Sequence, residues 1–186
     1  MATLFDIIND AQPLAARKLR GPQAWLAVAR RLLRRRLEAG HRESCPLCDQ
    51  HCKYYRRRLN SIMAQGLISL VLQERSSPGK WVHVEAVRLQ GREVVVMGGS
   101  FALLAHWGLI EPMRNDDTDK RCSGWWRPTD RGIAFAERRS VEPASGLFYN
   151  NSVLEWSEDQ IDIAFALGDK FNYAELMQPA TREAPP

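Results

Sequence analysis

The sequence predicts an α+β fold that is mostly helical, and two observations carry that reading. Apolar side chains recur at three- and four-residue steps over Gln23–Glu38 and again over Leu59–Glu74, the spacing of an amphipathic helix. Further on, two strand-like stretches, Leu109–Arg114 and Arg121–Arg127, flank the polar run Asn115–Lys120 and lead into a capped helix at Asp130–Arg139.

Taken in order, residues 1–44 read as a basic helical N-terminal extension. Leu4 to Ile8 starts a short apolar stripe. Pro22 sits where a first helical turn tolerates proline, and Gln23–Glu38 follows with strong helix formers until Gly40 stops it. Trp25, Leu26, Val28, Ala29, Leu32, Leu33 and Leu37 form its apolar side, and Arg30, Arg31, Arg34, Arg35 and Arg36 form the other. Such a helix can track phosphates or sit on an anionic membrane, or it can dock by its leucine face with its arginines solvated. Residues 45–58 combine a cysteine-rich link with a basic cluster around Tyr54 and Tyr55. Residues 59–139 form the central domain: a helix over Leu59–Glu74, a turn at Ser76–Gly79, a strand over Trp81–Val84 and a short helix over Glu85–Leu89. After Gly98-Gly99, Ser100 caps a helix through Trp107, which Gly108 terminates in a left-handed conformation. Residues 140–186 form an acidic hairpin-and-helix segment. Its turn is Asn150-Asn151, Ser157–Gln160 reads as a capping box for a helix through Ala166, and a last short helix covers Asp169–Met177.

Two stretches of the central domain carry a resemblance. Phe101–Glu111 is similar to the end of a third helix running into a first wing strand. Trp125–Gly132 is similar to a second wing strand followed by the Thr-x-x-Gly that opens the next helix. On these residues the domain resembles the winged helix-turn-helix domains of bacterial regulators. The whole chain also resembles small phage and prophage proteins, in Cys45–Cys48, Tyr55–Arg58, Asn60–Ala64 and Leu167–Met177. That second similarity implies no activity.

The winged-helix resemblance implies nucleic-acid binding, and a role in transcriptional regulation. It directs attention to Ser100 and His106 on the reading helix, and to Arg114, Lys120 and Arg121 around the wing. The residues themselves argue against base readout. Ser100 and His106 are the only polar side chains of that helix, and Asp116, Asp117 and Asp119 make the wing tip repel phosphates. Phosphate contact is therefore expected from Arg56, Arg57, Arg58, Arg88 and Arg92. The alternative is a protein-interaction module that docks on and modulates a host factor through its apolar helix and acidic wing.

Cys45-Pro-Leu-Cys48 has the spacing with which two thiolates grip one zinc ion. Cys52 and Cys122 are the further candidate ligands, with His41 and His51 as substitutes, so that one structural zinc could staple this segment to the wing. Reduced, partly buried thiols and a redox pair are the competing readings. His83 and His106 stand alone. No Gly-rich phosphate loop, Ser/His/Asp set or paired carboxylates are evident, so an enzyme is not expected.

The formal net charge is +4. Residues 1–140 carry 24 Lys or Arg against 14 Asp or Glu, and residues 141–186 carry 2 against 8. A basic body of this kind can meet a polyanion, and the acidic end can pair with the chain's own arginine-rich helix. No stretch is apolar for long enough to span a bilayer, and no secretory signal opens the chain. A cytoplasmic location, in a bacterial host cell, is expected.

Overall fold

The structure is a computed structural model that describes residues 22–89, 92–93, 100–115 and 123–178. The chain divides into two compact units. One is formed by the chain up to Arg56 together with Leu147–Asn151, the other by Arg57–Gly146 together with the residues from Ser152 onward.

In the first unit, helix α1 (Pro22–Glu38) begins at the proline and ends where Gly40 turns left-handed at φ 82°. Its buried residues Ala29, Leu33 and Leu37 recur every fourth position. They meet Trp25, Leu32, Cys52, Tyr54 and Tyr149 in a small core, where the rings of Tyr54 and Tyr149 meet edge to face at 5.4 Å. Strands β1 (Glu43–Ser44) and β2 (His51–Cys52) then form an antiparallel hairpin in which Glu43 faces Cys52 and Ser44 faces His51. Strand β3 (Tyr55–Arg58), exposed along its length, follows and runs from this unit into the second.

The second unit is built on helix α2 (Ser61–Ser76). Asn60 caps it by accepting the Met63 amide at 3.1 Å, and Met63, Ala64, Leu67, Ile68, Leu70 and Val71 are buried. Strands β4 (Val82–His83), β7 (Ile110–Pro112) and β8 (Trp125–Pro128) form an antiparallel sheet with β8 in the middle. Glu111 lies opposite Arg127, and their side chains pair at 2.5 Å. Helix α3 (Asp130–Ala136) and helix α4 (Ile163–Leu167) pack on α2. Thr129 caps α3 through the Gly132 amide at 3.0 Å, and its own hydroxyl donates to the Gly108 carbonyl at 2.6 Å. Between β4 and β7 lie a 3-10 turn (Val84–Ala86), the paired strands β5 (Arg88–Leu89) and β6 (Arg92–Glu93), and a 3-10 segment (Phe101–Ala105). Strand β9 (Glu142–Pro143) precedes strand β10 (Ser145–Tyr149), whose Leu147–Tyr149 belong to the first unit together with the turn residues Asn150 and Asn151, both at positive φ, and strand β11 (Ser152–Trp156) follows. Strand β12 (Gln160–Ile161) pairs with β9, and helix α5 (Tyr173–Leu176) follows α4.

This architecture corrects the mostly helical class and the winged-helix assignment. Short strands punctuate the chain from Glu43 to Ile161. Where the sequence predicts a helix over Glu85–Leu89, only one 3-10 turn forms. Val87 is extended at φ −70° and ψ 108°, and the next residues enter a strand ladder with Arg92–Glu93. In place of the reading helix, the chain makes a five-residue 3-10 segment, and Ser100 makes no side-chain cap. The physical reason lies in the apolar spacing. Phe101 and Leu104 stand three residues apart, and a 3-10 turn puts such residues on one face. Both are buried, as is Trp107 three residues later, and the Trp107 indole donates to the Pro143 carbonyl at 2.9 Å. Burying each side chain of this size is worth about 2 kcal/mol, so the segment is held in the core. The helix expected from Ser157 begins instead at Ile163, capped by Asp162, because Gln160 and Ile161 are drawn into β12.

Candidate nucleic-acid interface and cysteine hairpin

Helix α1 presents a dense positive face among the described residues of the first unit. Arg30, Arg31, Arg34 and Arg35 are all exposed, opposite the buried Ala29–Leu33–Leu37 stripe. None of the four meets a carboxylate among the described residues. Arg36, one position round the helix, is different: its Nε pairs with the buried carboxylate of Glu43, which ties α1 to the hairpin. Residues 22–56 carry eight Lys or Arg and three Asp or Glu. The acidic groups thus leave most of this charge uncompensated, and α1 concentrates half of it on one side.

The residues expected to contact phosphate fall in several places. Arg56, Arg57 and Arg58 lie on β3, all exposed, and Arg56 and Arg57 already engage partners within the chain. Arg88 and Arg92 lie on the β5–β6 ladder, where Arg88 stands opposite Glu93 and Arg92 opposite Leu89. The side chains of Arg88 and Arg92, and the whole of Lys120, Arg121 and Cys122 with the acidic wing residues Asp116, Asp117 and Asp119, lie outside the described residues, as does the stripe at Leu4–Ile8. Arg114 is exposed and engaged within the chain. Ser100 and His106 are half-buried at the two ends of the 3-10 segment, whose apolar face is packed inward. Two acidic residues of the C-terminal segment pair within their own unit. Glu142, buried, pairs with Arg131 through two hydrogen bonds of 2.6 and 2.5 Å, and Asp162 pairs with Arg138 at 2.8 Å.

The α1 arginines are visible in the sequence as one side of an amphipathic helix. What the sequence lacks is the distinction between Arg36, which is paired, and its four neighbours, which meet no carboxylate among the described residues. That distinction depends on Glu43 returning in β1.

In the hairpin, the loop between β1 and β2 is closed by Cys45 N donating to Gln50 O at 2.8 Å and Asp49 N donating to Cys45 O at 2.9 Å. Asp49 takes φ 56° to make that turn. The Leu47 backbone first, then the Cys48 backbone and thiol, hold the Cys45 thiol below its ordinary range. Cys52 lies on β2. Its sulfur reaches the Gln50 carbonyl at 3.5 Å and accepts the Tyr149 hydroxyl at 3.7 Å. Burial first, then the Cys52 contact, push the Tyr149 phenol up to about 12. Among the described residues no group of three or more His, Cys, Asp or Glu is arranged to hold a metal ion. Nor is any helix among them long and apolar enough to cross a membrane.

Comparison with family models, with curated proteins and with solved structures finds no match to this chain.

Proposed function

We propose that this protein binds nucleic acid by contacting the phosphate backbone, with helix α1 as the principal contact. The observation that carries this reading is the set of four exposed guanidiniums, Arg30, Arg31, Arg34 and Arg35, without carboxylate partners among the described residues and backed by a packed apolar stripe. Spacing of i, i+1, i+4 and i+5 keeps them on one side of the helix. A guanidinium suits phosphate because it is always charged and offers forked donors. Contacts of this kind fix a protein on its nucleic acid but carry little base information, so binding is largely indifferent to sequence.

Fluorescence anisotropy with a labelled duplex and a labelled single strand, across a salt series, tests this. Four phosphate contacts give a slope of log K against log salt of about −3 to −4 on duplex DNA. Replacing Arg30, Arg31, Arg34 and Arg35 together by Gln removes most of that slope. No binding at low salt, or binding that the fourfold variant leaves unchanged, rejects the proposal.

A further inference from the structure

Side chains alternate sides along a strand, and in the sheet of β4, β8 and β7 the inner side holds Val82, Trp126 and Ile110, all buried. The register puts His83, Trp125, Arg127 and Glu111 on the other side, and Trp81 joins them just before β4. Two groups stand side by side there. In one, the Arg127 guanidinium lies over the Trp81 ring at 4.5 Å and pairs with Glu111. In the other, two residues back along β8 or about 7 Å, the His83 and Trp125 rings meet edge to face at 5.2 Å. Trp125 is 40% exposed. His83 is fixed from two sides. Its Nδ1 accepts the Glu85 amide at 3.4 Å, and its ring lies against Gly124, where a Cβ would stand 2.8 Å from Nε2. With Nδ1 accepting, Nε2 carries the ring proton. That N–H meets no acceptor among the described residues, and the Glu85 carboxylate, 3.6 Å away, lies on the Nδ1 side.

We propose that this sheet face is a stacking platform for an unpaired nucleobase, which lies on the Trp125 ring and accepts a hydrogen bond from His83 Nε2 at its edge. The inference rests on the nucleic-acid reading above and specifies its substrate class, a strand with unpaired bases. Three observations select this occupant. The Glu111–Arg127 pair cancels its own charge and Glu85 is acidic, so the face suits the neutral base of a nucleotide rather than its phosphate. Trp81 already holds a planar, delocalised group, the Arg127 guanidinium, and Trp125 offers a second ring to another. Proline-rich peptides dock in grooves lined by several aromatic rings; here Arg127 lies over Trp81, and the one ring left to a ligand suits one base. Every base has a π-face, so stacking tolerates any sequence. A duplex keeps its base faces inside its own stack, so the platform favours single strands.

The test uses the full chain and three labelled probes of equal length: oligothymidine, an abasic strand of the same backbone, and a duplex. Anisotropy gives the affinities, and intrinsic tryptophan fluorescence reports stacking. Oligothymidine binds more tightly than the abasic strand and quenches the fluorescence. Trp125→Ala weakens oligothymidine about tenfold, within the range for one stacked base, and loses much of the quenching. It leaves the abasic strand, the duplex and the salt slope as they were. Trp125→Phe, which keeps an aromatic face, retains most of the affinity, and a circular dichroism spectrum of Trp125→Ala that matches the parent excludes misfolding. The proposal is overturned if oligothymidine and the abasic strand bind equally, if Trp125→Ala binds oligothymidine as the parent does, or if that variant loses the duplex to the same degree. Binding of a proline-rich peptide that depends on Trp125, without any dependence on bases, overturns it in favour of a protein ligand. The two readings fail separately. Salt-dependent binding that requires the α1 arginines but not Trp125 overturns the platform alone. Base-dependent quenching that survives replacement of the four α1 arginines upholds the platform and removes α1. Absence of binding to all three probes at low salt overturns both.

Discussion

A methyl group on Gly132 would stand 1.9 Å from the Leu109 carbonyl oxygen, a backbone atom that cannot swing aside. The same residue donates its amide to the Thr129 hydroxyl, which in turn bonds the Gly108 carbonyl. The Thr-x-x-Gly pattern that draws the eye in the sequence is thus a cap combined with a close backbone approach. It secures the packing of α3 against the end of the 3-10 segment and says nothing about a ligand. Gly132→Ala is expected to cost about 3 kcal/mol, the upper end for overpacking, measured by urea denaturation. At Gly66 the obstacle is the Phe101 ring, 2.7 Å from where a Cβ would stand. A ring edge can shift, so Gly66→Ala is expected to cost about half as much. Equal losses at the two sites would show that the Leu109 backbone yields as readily as the ring. Both glycines are legible as letters in the sequence, but the neighbour each one accommodates, Leu109 or Phe101, is distant in the chain and is brought close only by the fold.

At the scale of elements, an ion-pair link joins the end of α2 to the end of α3. The Glu137 carboxylate accepts from Arg75 at 2.6 Å and from Arg139 at 2.5 Å, and first Arg75, then Arg139, hold it below the usual carboxylate range. A carboxyl group whose folded pKa is depressed contributes stability that is present above its unfolded value, about 4.3, and lost as pH falls through the folded one. Glu137→Gln should therefore be less stable than the parent near neutral pH, and the gap should close as pH drops below about 4. Denaturation midpoints across an acid series measure it; a gap independent of pH would remove the carboxylate's charge as the cause. Element existence is readable wherever local chemistry suffices. Helices α1 and α2 follow from long apolar periodicity, and Gly40, Gly108 and Thr129 mark ends and caps where the sequence places them. The failures share a cause. Arg88–Leu89 and Gln160–Ile161 are short stretches whose strand state is decided by a partner outside the stretch, Arg92–Glu93 in one case and Glu142–Pro143 in the other. The Phe101–Leu104 interval of three fits a 3-10 turn, but in the sequence it reads equally as part of a longer helical stripe.

For the whole molecule, charge follows the division into units more closely than it follows the chain. The unit containing α1 has 11 Lys or Arg and 5 Asp or Glu, and the other unit has 15 and 17. The two parts of the sequence, basic up to residue 140 and acidic beyond it, conceal this because acidic residues beyond 140 pair with arginines before it in the same unit: Glu142 with Arg131 and Asp162 with Arg138, alongside Glu111 with Arg127. Arg127 also lies over the Trp81 ring at 4.5 Å, and Arg138 over the Tyr173 ring at 5.6 Å. Such arginines are already neutralised, and turning one toward a phosphate would release no net positive charge without breaking its pair. A polyanion should then distinguish the two sets in the intact protein. Replacing Arg127 and Arg138 by Gln is expected to change duplex affinity by less than about twofold and to leave the salt slope as it was. Replacing just two of the α1 arginines, Arg31 and Arg35, should reduce the slope by about 2, at about 0.9 for each phosphate that the protein no longer neutralises. Comparable reductions of slope in both variants would mean that binding to nucleic acid is spread over the surface according to total arginine count, and would take the principal role away from α1.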